Sequence, residues 1–156
     1  MTKHMDDQYF MSIAIAEAEK ALKRGDYPAG TVIVLNNKII ARASSTGITK
    51  NNPVAHAEIN AILKACKKLK TRFLKNCIVY DSSEPCLMCA KAMVYAGMKK
   101  VVYGAEHGEY GKKKTFEILK ENGIGKDIEV IGGVQKEAAE KQLKIFLSKG
   151  ILIYKK

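Results

Sequence analysis

Nowhere in the 156 residues does an apolar run approach the ~20 residues that a membrane-spanning helix needs. The opening stretch Met1-Thr2-Lys3-His4-Met5-Asp6-Asp7 carries no apolar segment behind its one lysine, so it does not read as a secretory signal. The expected location is therefore the cytoplasm, with no membrane partner. Internal repeats, linkers and low-complexity segments are lacking too, and residues 1–156 read as one domain long enough to bury a core. Arginine is scarce: only Arg24, Arg42 and Arg72 among 27 basic residues, although the net charge reaches +11. Arginine is the residue suited to bidentate phosphate and base contacts. The charge thus supports non-specific attraction to nucleic acid, and lysines scattered over solvated faces remain the alternative. Cysteine is sparse as well, with Cys66, Cys77, Cys86 and Cys89. In a cytosolic chain a close pair is more often a metal or redox site than a disulfide. Cys66 and Cys77 sit among apolar neighbours and read as small core residues.

What is present alternates by period. Phe10, Ile13, Ala14, Ala18, Ala21 and Leu22 recur at helical spacing over Tyr9–Lys23, which ends at Gly25. Thr31–Leu35 and Lys38–Ala43, joined by Asn36-Asn37, predict a β-hairpin on a two-residue turn. A polar loop runs from Ser44 to Pro53, followed by a helix over Ala55–Leu69. Then come a short strand Cys77–Tyr80, a loop through Ser82-Ser83-Glu84-Pro85 and a helix Cys86–Gly97 that Pro85 helps to start. A strand Lys99–Gly104, a helix Thr115–Glu121, a strand Ile128–Ile131 and a helix Lys136–Leu147 complete the order. A hairpin followed by alternating helix and strand predicts an α/β fold, a mixed sheet with helices on both faces.

Two short segments carry the chemistry. His56-Ala57-Glu58 opens one predicted helix, and Pro85-Cys86-Leu87-Met88-Cys89 opens the next. Cysteines at i and i+3 on a helix share a face, so both sulfurs can reach one ion. A helix N-terminus also favours the thiolates that zinc requires. Two thiolates and one imidazole make three ligands, and catalytic zinc sites keep the fourth position for water. Cys66 lies too far along its helix to join His56, whereas His107 stays open as a fourth ligand. Glu58, two residues after His56, is placed to move protons as a general acid–base without touching the metal.

A histidine and glutamate followed by Pro-Cys-x-x-Cys is the signature of the zinc deaminases of nucleobases. Over nearly its whole length the chain resembles the cytidine and deoxycytidylate deaminase superfamily. Ala55-His56-Ala57-Glu58-Ile59, Glu84-Pro85-Cys86-Leu87-Met88-Cys89-Ala90 and Val101-Val102-Tyr103-Gly104-Ala105 look like the branch of tRNA adenosine deaminases, guanine deaminases and fungal cytosine deaminase. The resemblance implies Zn2+ on His56, Cys86 and Cys89, with Glu58 as proton shuttle. It also implies a three-layer α-β-α sandwich on a five-stranded sheet, and a homodimer.

Substrate choice is less sharply written. That branch carries an asparagine after the second strand, where this chain has Ser45. Serine offers one hydroxyl in place of an amide, and Asn51 or Asn52 is the alternative contact. Ala29, in Pro28-Ala29-Gly30, stands where the family more often has a larger apolar residue, which leaves room for a bicyclic purine. Tyr27 is a further candidate for that wall, and Ala57 and His107 complete the candidate substrate contacts. Glu106-His107 resembles guanine deaminases, the Lys113–Glu121 and Lys136–Leu147 segments resemble cytosine deaminase, and the Ser-Leu-Met-Asn-like run of tRNA adenosine deaminases is missing. Three readings follow. The first is hydrolytic deamination of a free base or nucleoside, such as guanine or cytosine. The others are adenosine-to-inosine editing of tRNA, and a catalytically idle zinc module that binds nucleic acid.

Overall fold

The computed structural model describes residues 6–106 and 113–151. Helix α1 (Asp7–Arg24) starts where the Asp6 side chain accepts from the Tyr9 amide, and it stops at Gly25, whose φ of 88° suits a residue lacking Cβ. Strands β1 (Gly30–Leu35) and β2 (Lys38–Ser44) form the expected hairpin. Asn36 and Asn37, with φ of 50° and 59°, make its turn, a left-handed pair that asparagine tolerates. Helix α2 (Ala57–Leu69), β3 (Ile78–Ser83), α3 (Leu87–Tyr95), β4 (Lys100–Ala105), α4 (Thr115–Glu121), β5 (Glu129–Ile131) and α5 (Lys136–Ser148) follow.

The sheet order is β2-β1-β3-β4-β5. Strand β1 pairs antiparallel with β2 and β3, while β3–β4 and β4–β5 are parallel. The expected mixed five-stranded sheet is what the chain forms. Alternation along each strand feeds two cores. Ile33, Val79 and Val101 face Ala61 and Ala65 of α2, Met93 of α3 and Phe116 of α4. On the other face Val32, Tyr80 and Val102 pack against Phe10, Met11 and Ala14 of α1. Helix α5 joins this second layer, with Gln142 donating to the Ile15 carbonyl of α1 at 3.0 Å.

Most ends shift by a residue or two, and three shifts near the cleft have a physical reason. Helices α2 and α3 begin one or two residues later than the pattern suggests, which leaves His56 and Cys86 as extended cap residues. Strand β3 continues past Tyr80 through Asp81, Ser82 and Ser83, all buried. A polar run there read as loop, but Asp81 and Ser82 each find a side-chain partner across the sheet. Thr31 Oγ1 donates to Asp81 Oδ1 at 2.6 Å and the Gly30 amide donates to Ser82 Oγ at 3.0 Å. Cys77 is buried as expected, and Cys66 is half-buried against the same core. No helix among the described residues is long and apolar enough to cross a membrane.

Candidate functional site

Helices α2 and α3 begin at the same end of the sheet, and their cap residues meet there. His56 has φ −69° and ψ 156°, Cys86 has φ −69° and ψ 169°, and neither spends its side chain capping its own helix. Both side chains are therefore left for other work. His56 Nδ1 lies 3.6 Å from Cys86 Sγ and 3.6 Å from Cys89 Sγ. The three donor atoms lie within 4.8 Å of one another, the one such His/Cys/Asp/Glu group among the described residues.

The trio fits a tetrahedral ion. Bonds of about 2.3 Å to sulfur and about 2.0–2.1 Å to nitrogen, opened to the tetrahedral angle, set nitrogen and sulfur about 3.6 Å apart. The observed separations match. The protonation pattern agrees with that donor set. Hydrogen bonds from Cys89 and then His56 pull the Cys86 thiol down to about 4, against the opposing effect of burial. Cys89 is pushed up, first because it donates to Cys86 and then by burial and by Glu58. His56 is raised chiefly by its bond to Cys86, and a bond to the Pro53 carbonyl steadies its ring. The donors at this site are those that bind a divalent cation in exchange for protons.

Glu58 is buried beside them, and desolvation is the main reason its carboxyl titrates above the ordinary range. Its side chain opens into a cleft of about 200 Å³ that it shares with His56 and Cys86. Ser45 and Ala29, both read from the sequence as substrate contacts, line this cleft, and so does Tyr27. Asn51 and Asn52 are exposed and stand outside it, with Asn52 Oδ1 accepting from the Val54 amide at 3.1 Å. Ala57 is wholly buried and is not part of the wall. His107 lies outside the described residues.

Phe146 completes the wall from α5, ninety residues beyond His56, with its ring edge-on to Tyr27 at 5.5 Å. Sequence reading placed it in a helix and found no signal for its role, since only tertiary packing brings α5 to the cleft. Ser83, Glu84, Gly47, Ile48 and Pro53 were likewise read as loop, yet they line the same space. Glu84 is buried, and its Oε1 accepts from the Thr115 amide at 2.7 Å, which ties the cleft to α4.

A family model for MafB19-like deaminases matches residues 5–142. The chain belongs to the MafB19-like deaminase family. This deaminase is 40% identical over 141 residues, 90% of its length and 88% of the relative's, to a tRNA-specific adenosine deaminase of Bacillus subtilis (strain 168). It is 43% identical over 104 residues to a guanine deaminase of the same organism, covering 66% of this chain and 67% of that one. A solved structure from work on A-to-I editing by tRNA:A34 deaminases superposes with a TM-score of 0.81 at 31% identity, covering 86% of this chain and 99% of the other. The fold and the hydrolytic deaminase class expected from the sequence are those of its relatives.

Proposed function

We propose that this deaminase, a single domain over residues 1–156, removes the exocyclic amino group of a free nucleobase or nucleoside, a purine such as guanine or else cytosine. The observation that carries the reading is the buried Glu58 carboxyl opening into the same cleft as His56 and Cys86. His56, Cys86 and Cys89 would hold zinc, which supplies a water acidified toward neutrality and a polarising charge. Glu58 moves the protons. Its raised affinity for a proton suits a group that accepts one from water, delivers it to a ring nitrogen and then serves the departing ammonia. Tyr27 offers its ring to a planar base, backed by the buried Phe146, and the small Ala29 and Ser45 leave it room. A cleft of about 200 Å³ suits one base and leaves any attached chain outside. The four free thiols suit a reducing cytoplasm.

Editing of a tRNA adenosine is the second reading. The relative matched over 90% of this chain and the net charge of +11 favour it. Base flipping would bring one nucleotide into the same cleft. Ammonia release from guanine, cytosine, adenosine and cytidine, beside inosine formation in tRNA, separates the two. Turnover of a panel member supports the first. Inosine in tRNA alone, with binding that falls steeply as salt rises, supports the second. Silence on all substrates with zinc loaded would defeat both.

We also infer a homodimer. Tyr95, 73% exposed, lines a groove between α2 and α3 with Ile62, Phe73 and Ala92, and Leu63 of α2 is 64% exposed. Apolar surface of this kind is what self-association buries.

A further inference from the structure

Ile48 faces the cleft yet is 44% exposed, so packing alone does not fix it. Its position is set through the backbone by an ion pair at the end of α1, between the buried Asp26 and the exposed Arg24. Asp26 is wholly buried. Its Oδ1 accepts from the amides of Ile48 at 3.0 Å and Thr49 at 2.9 Å, and its Oδ2 accepts from Thr49 Oγ1 at 2.8 Å. Arg24 Nε donates to the same Oδ2 at 3.1 Å, while Arg24 Nη2 donates to the Ser45 carbonyl at 2.7 Å and to Ser44 Oγ at 3.0 Å. A buried carboxylate is costly unless every lone pair is used, and here four donors converge on it.

We propose that Arg24 and Asp26 are positioning residues that clamp the 44–49 loop, fixing Ser45 and Ile48 as the substrate-facing wall and thereby setting how tightly the base binds. The same turn that carries the clamp carries Tyr27 and Ala29 into the cleft, and the Ser45 amide donates to the Ala29 carbonyl at 3.0 Å. Clamp and wall are thus one unit. Asn60 holds the loop from the other side through the Ser44 carbonyl and Thr46 Oγ1 at 3.0 and 3.1 Å, using neutral bonds. The ion pair supplies the charged, directional tie, and it contacts neither Glu58 nor the three ligand side chains among the bonds described. The inference rests on the base-deaminating reading for its substrate.

The test compares Arg24→Ala, Thr49→Val and Thr49→Ser on zinc-loaded protein, reading KM, kcat, melting temperature and amide exchange at residues 45–49. Arg24→Ala raises KM about tenfold with kcat held within about twofold. Thr49→Val, of nearly the same shape but without the hydroxyl, raises KM several-fold, and Thr49→Ser restores it. Exchange at Ile48 and Thr49 quickens in step with KM. A folded Arg24→Ala protein with unchanged KM, or kcat falling alongside melting temperature with KM fixed, overturns the clamp. If the unaltered protein turns over no base, the functional reading fails separately and exchange decides the clamp. Quickened exchange upholds it, and unchanged protection sinks it.

Discussion

At the scale of the residue, the site turns on what His56, Cys86 and Cys89 are not doing. As cap residues His56 and Cys86 could have satisfied their helix ends, and instead their donor atoms converge on one point with that of Cys89 in the first turn of α3. Cys86→Ser and Cys89→Ser are each expected to lose stoichiometric zinc, read by metal analysis after desalting. Full retention would contradict the assignment. Phe146 is wholly buried at the cleft, and Phe146→Ala is expected to cost about 3–5 kcal/mol of stability and to raise KM. Denaturant unfolding and steady-state kinetics check both. The grouping of His56, Cys86 and Cys89 beside Glu58 was legible because such chemistry needs particular atoms at short spacing. Phe146 was not, since any apolar residue fits a helix face and only packing aims it.

At the scale of the element, two contacts fix the architecture around the cleft. Gly30 opens β1 where a Cβ would come within 2.0 Å of the Ala14 carbonyl oxygen of α1. That neighbour is backbone and cannot yield. Gly30→Ala is therefore expected to destabilise by about 3 kcal/mol or more, measured by urea unfolding. Asp26 makes a second prediction, through pH. Burial opposes its charge, yet the bonds from Thr49 and Arg24 hold its carboxyl below the usual aspartate range. A depressed folded value means the stability is present above the ordinary aspartate pKa and lost as pH falls through the lower folded one. Wild type minus Asp26→Asn should thus show a constant stability gap at neutral pH that closes only in strong acid. A gap that closes near neutrality would be inconsistent with this. Strand β3 shows why element ends were hardest to read. Asp81, Ser82 and Ser83 look like loop by polarity, and their cross-strand partners at Thr31 and Gly30 lie fifty residues away.

At the scale of the molecule, hydrophobic period sufficed for the mixed sheet and its two helical layers, because alternation and helical spacing are local signals. Substrate choice is not local. The cleft proposed to set it has a wall assembled from the α1–β1 turn, the 44–49 loop and α5. The proposed self-association is likewise a matter of the whole molecule. Leu63→Glu with Tyr95→Glu is expected to convert a dimer to a monomer in sedimentation, whereas a wild-type monomer at high concentration would exclude the α2–α3 surface as an interface. The central claim is that Glu58 moves protons beside a metal it does not hold. The direct measurement is kcat of Glu58→Gln at matched zinc content. A loss of at least about 10²-fold with zinc fully retained is predicted, and turnover equal to wild type would contradict it.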